Sequence, residues 1–279
     1  MGITLGLIGF PAKHSLSPWI HGAFMDKAGI EGTYTIYETK QDDLEQQLKK
    51  LKMHGIDGFN VTVPYKQTIM NYLDDIDDAA AKIGAVNTVL QQNGKWIGYN
   101  TDGLGYQQSL RTAFPNLFSG DKHVLILGAG GASRGIYYTL SQGEFPQVDI
   151  ANRTKEKAEA FLPLKSDRTD SKVIDYKEAE RVLSTYDLIV QTTSVGMKPH
   201  VNEQVIKLEK LSTHSVVSDI VYQPIQTQLL EDAEKRGAYI HHGHAMLLYQ
   251  AQAAFQIWTG KQPQVDSMLL DLEKRLRGD

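Results

Sequence analysis

The stretch His123-Val-Leu-Ile-Leu-Gly-Ala-Gly-Gly-Ala-Ser-Arg-Gly135 decides the fold. Its four apolar residues after the histidine, two of them β-branched, suit a strand buried on both faces. The glycine-rich turn leads straight into a segment of helical spacing, Ala132–Gln142. Strand, glycine loop and helix in immediate succession are the opening of a dinucleotide-binding βαβ unit. Gly128 permits the tight turn, and Gly130 lets the backbone approach a pyrophosphate at the helix N-terminus. Ala129, Gly131 and Ala132 complete the loop, while Ser133 stands where a third Gly or Ala is usual. A glycine-rich turn is often only a turn, but here the strand before it and the helix after it agree with the dinucleotide-binding reading.

The next strand addresses the choice of cofactor. About 20 residues past the loop, an NAD-binding unit places an acid on the ribose 2′-hydroxyl. Here Val148-Asp-Ile-Ala151 runs into Asn152-Arg-Thr-Lys-Glu-Lys157. Arg153 and Lys157 supply positive charge and Asn152 and Thr154 supply hydrogen-bonding groups where a 2′-phosphate would sit. Asp149 precedes the strand end and is expected to face elsewhere. A solvated helix start is the plainer alternative, but cations there oppose the helix dipole unless an anion joins them. The reading is NADP.

Working outward, short β-branched runs alternate with helical stretches, the mark of parallel sheets flanked by helices. Strands are expected at Thr4–Phe10, Thr33–Glu38, Gly58–Val63, Val86–Gln91 and Lys95–Tyr99, then at His123–Leu127, Gln147–Ala151, Lys172–Asp175, Asp187–Thr192, Val216–Val221 and Ala238–His241. Helices are expected at Pro18–Ala28, Asp42–Met53, Lys66–Leu73, Ala79–Ile83, Gly103–Phe114, Lys155–Leu162, Thr227–Lys235, Met246–Trp258 and Val265–Arg277. The Asn93-Gly94 pair reads as a hairpin turn. The fold class is therefore α/β in two domains: an N-terminal α/β substrate domain with a mainly parallel sheet, and a Rossmann-type NADP-binding domain. The expected division gives residues 1–104, completed by the C-terminal helices 242–279, to the first and 105–241 to the second.

Composition narrows the function classes. The chain has 279 residues, formal net charge −4 and no cysteine. The absence of a basic footprint argues against nucleic acid, and without thiols there is no disulfide, thiolate nucleophile or Cys-ligated metal. No apolar run approaches the roughly 20 residues of a membrane span. The N-terminus carries no basic leader, so the expected location is cytoplasmic and the expected partners are small molecules, with the chain a monomer or homodimer. His241, His242 and His244 lie close together, but no carboxylate in that short stretch completes a metal site; no metal is expected.

Polar residues gather at the strand ends of the first half. Ser15-Leu-Ser17-Pro18 opens a helix, with Ser17 suited to cap it. Gly58-Phe-Asn-Val-Thr-Val-Pro-Tyr-Lys66 sets Asn60 and Thr62 on one side of a strand with Lys66 just beyond. Ala85-Val-Asn-Thr88 and Tyr99-Asn-Thr-Asp102 close on polar groups in the same way. Ligands of open α/β sheets bind at carboxyl strand ends, so these groups can converge, although each taken singly is more often a turn or cap residue.

Together these segments resemble one family. Gly9-Phe-Pro-Ala-Lys-His-Ser-Leu-Ser-Pro-Trp-Ile-His21, Asn60-Val-Thr-Val-Pro-Tyr-Lys66, Gly84-Ala-Val-Asn-Thr88, Gly98-Tyr-Asn-Thr-Asp102 and the glycine loop are similar to the motifs of the shikimate dehydrogenases. Thr193-Ser-Val-Gly-Met197, Asp219-Ile-Val-Tyr-Gln-Pro224 and Met246-Leu-Leu-Tyr-Gln250 follow in the same order. Gly22, where the family often has Asn, and His244-Ala245 ahead of Met246 are small departures. The resemblance implies NADPH-dependent reduction of 3-dehydroshikimate to shikimate, in the route to aromatic amino acids. It implies Lys66 and Asp102 as the catalytic pair, and Ser15, Ser17, Asn60, Thr62, Asn87, Tyr222 and Gln250 as substrate contacts. It adds Thr192, Ser194, Met197, Ile220, Gly243 and Met246 to the cofactor contacts.

The chemistry is coherent with that assignment. Hydride arriving at a ketone leaves charge on oxygen, which a positioned lysine can neutralise and protonate. Three alternatives stand beside it. A quinate/shikimate dehydrogenase using NAD is disfavoured by Arg153 and the lack of an acid at positions 152 and 153. A non-catalytic NADP sensor is opposed by retention of both Lys66 and Asp102. Methylene-tetrahydrofolate dehydrogenases share the two-domain plan but lack the Ser-x-Ser-Pro and Asn-Thr-Asp segments.

Overall fold

The computed structural model describes residues 2–278. The chain divides into two compact units, the first running through Asp102 and taking in Gln250–Val265, the second comprising Gly103–Tyr249 and the segment from Asp266 onward.

The first unit contains β1 (Ile3–Gly9), α1 (Ser17–Ala28), β2 (Gly32–Glu38), α2 (Leu44–Met53), β3 (Gly58–Val61), β4 (Asp75–Ile76), α3 (Asp78–Ile83), β5 (Thr88–Gln92) and β6 (Lys95–Tyr99). Its six-stranded sheet has the order β2-β1-β3-β5-β6-β4. The β2-β1-β3 part is parallel, whereas β5 runs antiparallel to β3 and to β6. That reversal matters for function: the start of β5 and the end of β6 now lie at the same edge as the carboxyl end of β3. The β5–β6 hairpin turns on Asn93 and Gly94, both at positive φ (52° and 79°), as a two-residue turn between twisted strands requires. Leu44, Leu48 and Leu51 of α2 pack on Phe59, Val61 and Trp96 on one side of the sheet.

The second unit follows from α4 (Asp102–Ala113), and continues through β7 (His123–Leu127), α5 (Gly131–Leu140), β8 (Gln147–Ala151), α6 (Lys155–Glu159), β9 (Val173–Ile174), α7 (Tyr176–Val182), β10 (Leu188–Gln191), β11 (Val216–Asp219), α8 (Gln228–Lys235) and β12 (Tyr239–His241). Its sheet, β12-β11-β10-β7-β8-β9, is parallel throughout. This is the doubly wound order, with the topological switch between β7 and β10. Both faces are covered, by α5 and α4 over Val124 and Ile126 and by α7 and α8 over Leu125 and Leu127. Residues His244–Thr259 form α9, and Asp266–Arg277 form α10. Of the tail 242–279 expected with the first unit, Gln250–Val265 stands there, while 242–249 and α10 stand with the second. Met268 and Leu272 of α10 are buried, and Glu273 acts electrostatically on His242 and His244. Among the described residues no helix is long and apolar enough to cross a membrane.

Three local expectations change. Ser17 is not the cap of α1 but its first residue, and Leu16 is the cap position. The Ser15 hydroxyl accepts from Ser17 N at 3.2 Å, which gives the turn its bracing from a side chain two residues earlier than expected. The helix expected over Lys66–Leu73 is a short 3-10 segment, Thr68–Tyr72. The carbonyl of Lys66 instead accepts from Val86 N at 2.7 Å, so it is unavailable to an α-helical ladder. Helix α7 is an addition to the expected elements, because its first turns are polar. Its signal is local: Asp175 accepts from Glu178 N at 2.8 Å, the first half of a capping box.

Candidate functional site

At the first unit's sheet edge, Lys66 Nζ donates to Asp102 Oδ2 at 2.6 Å. The lysine side chain is 31% exposed and the aspartate 11%, so the pair is reachable yet partly withdrawn from water. Lys66 is placed by the turn after β3, where Tyr65 is buried with its hydroxyl on Thr39 O at 2.6 Å. Asp102 is placed by the end of β6 and by Asn100, whose side-chain oxygen accepts from Asp102 N at 3.1 Å.

Asn87 holds the other carboxylate oxygen. Its Nδ2 donates to Asp102 Oδ1 and to Thr101 Oγ1, both at 2.9 Å. Its Oδ1 accepts from Thr101 N at 2.8 Å and from Thr88 Oγ1 at 3.0 Å. The amide is thus fully engaged within the protein, and its visible work is to orient Asp102. Asn60 is buried, and its Nδ2 donates to Asn87 O and to Thr88 Oγ1, each at 3.2 Å. Its Oδ1 accepts from Tyr34 Oη at 2.7 Å, which leaves one lone pair of that oxygen to offer a ligand. Ser15 Oγ and Ser17 Oγ are 3.0 Å apart at the start of α1. Thr62 follows β3, its N–H on Ile8 O at 2.9 Å, with its methyl group against Gly9. Gln250 lies on α9 within the same unit.

Tyr34, which the sequence did not single out, joins this cluster through Asn60. Burial pushes its phenol pKa upward, against a smaller pull from the Ser17 hydroxyl, so it remains a neutral donor. Behind it lies His21, fully buried and stacked on the Tyr34 ring at 4.5 Å and 8°, with Trp258 at 5.2 Å. Burial lowers the His21 pKa from 6.5 to about 3, outweighing an upward pull from Asn60. The folded ring therefore resists a proton that the unfolded chain accepts below pH 6.5. Stability from this residue is complete above that pH and is lost as pH falls toward 3. Relative to His21→Phe, the wild type is expected to lose stability, on the order of a few kcal/mol, between about pH 7 and about pH 4.5. Urea denaturation of both proteins at the two pH values reads this, and equal losses would refute it.

The second unit holds the glycine loop at its switch point. Gly128 has φ +108°, and a Cβ there would meet Thr193 Cγ2 at 2.7 Å, so glycine is required. Gly130 and Gly131 are exposed, and a Cβ on either would meet open space. With Gly130 as the cap position of α5 and no side chain bonded over it, the helix start is open to an anion, as a pyrophosphate requires. Ala129 and Ala132 line the same turn, half-buried. Ser133 is accommodated because its hydroxyl donates to Gly128 O at 2.7 Å. After β8, Asn152 Nδ2 donates to Thr154 O at 2.7 Å, while Arg153, Thr154 and Lys157 are exposed. Asp149 points away from this edge, fully buried, accepting from Tyr186 Oη at 2.7 Å and Gln147 Nε2 at 2.6 Å.

The loops after β10 and β11 are tied by a network that sequence reasoning missed. Asp219 accepts from Thr227 Oγ1 at 2.7 Å, Val221 N at 2.9 Å and Gln191 Nε2 at 3.3 Å. Burial raises its pKa from 3.8 to about 6, against these hydrogen bonds. Around this knot stand Thr192, whose hydroxyl donates to Leu127 O at 2.7 Å, exposed Ser194 and Met197, and Ile220, whose N–H donates to Gln191 O at 3.1 Å. Gly243 sits against the Ile220 carbonyl. Met246 packs on the same core cluster as Ile220 and Ala129. Tyr222 is 38% exposed. His241 Nδ1 is 2.9 Å from Ser218 Oγ and His242 Nε2 is 2.8 Å from Gln226 Oε1. Among the described residues, no group of three His, Cys, Asp or Glu side chains is arranged to hold a metal.

Comparison with known proteins adds independent findings. Residues 7–89 match the shikimate dehydrogenase substrate binding domain, 111–229 the shikimate/quinate 5-dehydrogenase domain, and 243–269 the shikimate 5′-dehydrogenase C-terminal domain. The chain is 48% identical to shikimate dehydrogenase (NADP(+)) of Oceanobacillus iheyensis, over 100% of both chains. Among solved structures it is similar to shikimate 5-dehydrogenase of Listeria monocytogenes in complex with shikimate and NAD, with TM-score 0.89, 32% identity and coverage of 97% and 96%. It is likewise similar to shikimate 5-dehydrogenase of Thermus thermophilus in complex with NADP(H) and shikimate, with TM-score 0.86, 30% identity and coverage of 98% and 99%.

Proposed function

The chain belongs to the shikimate dehydrogenase family, and on that premise we propose that Lys66 and Asp102 carry its chemistry on a substrate bound by the first unit. The activity is the reversible, NADPH-dependent reduction of 3-dehydroshikimate to shikimate, an oxidoreductase step of aromatic amino acid biosynthesis. The observation that carries the residue assignment is the 2.6 Å contact of Lys66 with a carboxylate held on its other oxygen by Asn87.

NADPH supplies the hydride when bound. The glycine loop Gly128–Ala132 would hold its pyrophosphate, with Asn152, Arg153, Thr154 and Lys157 toward the 2′-phosphate. Thr192, Ser194, Met197, Ile220, Gly243 and Met246 would take its remaining parts. The chain's own task is to manage charge and a proton. As the ketone oxygen gains electrons, the Lys66 ammonium stabilises it and donates a proton; in the reverse direction neutral Lys66 takes that proton back. Asp102 keeps Lys66 aimed and accepts a hydrogen bond from a substrate hydroxyl. Ser15 and Ser17 at the start of α1 suit a carboxylate, and Asn60 Oδ1 suits a second hydroxyl. Thr62 and Gln250 complete the first unit's contacts, and Tyr222, on the second unit, is assigned to substrate by the family resemblance alone. Asn87 acts through Asp102. An NADPH-consuming step on a small metabolite fits the cytoplasm, where we place it.

Purified protein supplied with shikimate and NADP⁺ is expected to produce the near-ultraviolet absorbance of NADPH, with quinate and NAD⁺ each at least about tenfold poorer in kcat/KM. Equal rates with quinate, or a preference for NAD⁺, would overturn the substrate and cofactor assignments respectively.

A further inference from the structure

A row of side-chain hydrogen bonds crosses the first unit in one direction and ends on Asp102. Tyr34 Oη donates to Asn60 Oδ1 at 2.7 Å, and Asn60 Nδ2 donates to Thr88 Oγ1 at 3.2 Å. Thr88 Oγ1 donates to Asn87 Oδ1 at 3.0 Å, and Asn87 Nδ2 donates to Asp102 Oδ1 at 2.9 Å. Lys66 closes the far side of the carboxylate at 2.6 Å. The sheet register builds this row. Asn60 of β3 and Thr88 of β5 are directly opposite each other, so their side chains rise on one face as a cross-strand pair. Tyr34 of β2 is level with Leu5 of β1, and Leu5 with Gly58 of β3, so the phenol reaches across β1 and two residues along β3 to Asn60.

We infer that Thr88 and Tyr34 are positioning residues of this enzyme, fixing the amides of Asn60 and Asn87 so that one presents an oxygen to substrate and the other a donor to Asp102. The inference rests on the assignment of Lys66 and Asp102 above. An asparagine amide can be turned over at little cost unless its neighbours distinguish oxygen from nitrogen. The Thr88 hydroxyl does so twice, accepting from Asn60 and donating to Asn87. Thr88 has no exposed surface, so solvent cannot take over either bond. Thr101 N assists on the Asn87 side at 2.8 Å, and Tyr34 pins the far end of Asn60. Asp102 thus receives Asn87 on one carboxylate oxygen and Lys66 on the other.

The test uses the full-length protein with shikimate and NADP⁺. Thr88→Val removes only the hydroxyl's hydrogen bonds at nearly constant volume. It is expected to lower kcat/KM for shikimate by about tenfold, with KM for NADP⁺ unchanged. Thr88→Ser, which keeps the hydroxyl, is expected to restore kcat/KM. Tyr34→Phe keeps the stack on His21 and is expected to raise KM for shikimate several-fold with kcat within about twofold. A Thr88→Val enzyme with wild-type kcat/KM for shikimate would overturn the inference, and so would Thr88→Ser impaired as much as Thr88→Val. A parallel rise in KM for NADP⁺ would show a merely structural role and equally overturn it. Asp102→Asn separates the levels: if it turns over normally, the Lys66–Asp102 assignment itself falls, whatever Thr88→Val does.

Discussion

Replacing Lys66 by Met is expected to lower kcat for shikimate oxidation by about three orders of magnitude, or roughly 4 kcal/mol of barrier. The reasoning combines placement and chemistry. The ammonium is held at 2.6 Å by Asp102 and is still 31% exposed, so it can meet a substrate oxygen without first breaking free of a buried pair. Methionine preserves the length of the side chain, so the turn after β3 keeps its packing on Tyr65 and Ile69. What disappears is the positive charge and the proton, both needed only as the substrate oxygen changes between alcohol and ketone. The loss should therefore fall on kcat, with NADP⁺ affinity, read by fluorescence titration, within about twofold of wild type. Retention of more than about a tenth of wild-type turnover would remove Lys66 from the proton step.

How much of this was legible before the structure depends on the range of the interaction. The glycine loop was readable because Gly128 (φ +108°) answers a local backbone demand, and the same holds for the turn at Asn93-Gly94. Strand ends carrying Asn60, Lys66 and Asp102 were visible as polar groups closing apolar runs. Their convergence was not derivable from spacing, because it depends on β5 running antiparallel to β3, which brings the start of one strand beside the end of the other. Thr88 stood inside a quoted motif without a role, since nothing in Ala85-Val-Asn-Thr says that its hydroxyl bridges two amides. Tyr34 was invisible for a related reason. Its partner Asn60 lies two strands away across β1, and an aromatic residue on a strand reads as core. The Gln191–Asp219–Thr227 knot is likewise built from three separate segments. The Ser17 cap failed at shorter range, because Ser15, two residues earlier, supplies the bracing instead.

Removing Arg153 is the second substitution with a large expected effect, and it acts on the other substrate of the reaction. Arg153 lies two residues past the end of β8, the strand paired with the one that leads into the glycine loop, where the adenosine ribose of a dinucleotide falls in this topology. Neighbouring groups are already occupied. Asn152 donates back to Thr154 O at 2.7 Å, and Lys155 is drawn to Asp175 at 3.8 Å. Arg153 is exposed, and among the described residues no carboxylate lies within ion-pair distance of it. Its guanidinium is thus available to grip a phosphate with two hydrogen bonds. A charge-assisted contact of this kind contributes about 1.5–3 kcal/mol. Arg153→Ala is therefore expected to raise KM for NADP⁺ by roughly tenfold to a hundredfold, with kcat little changed at saturation. KM for NAD⁺, which lacks the 2′-phosphate, should stay within about twofold, so the preference between cofactors narrows through loss of NADP⁺ affinity alone. Since exposed charges are screened by salt, the difference between the two enzymes should shrink as ionic strength rises. If KM rises equally for NADP⁺ and NAD⁺, Arg153 serves the loop and not the phosphate, and discrimination between the two cofactors must lie in Lys157 or Thr154.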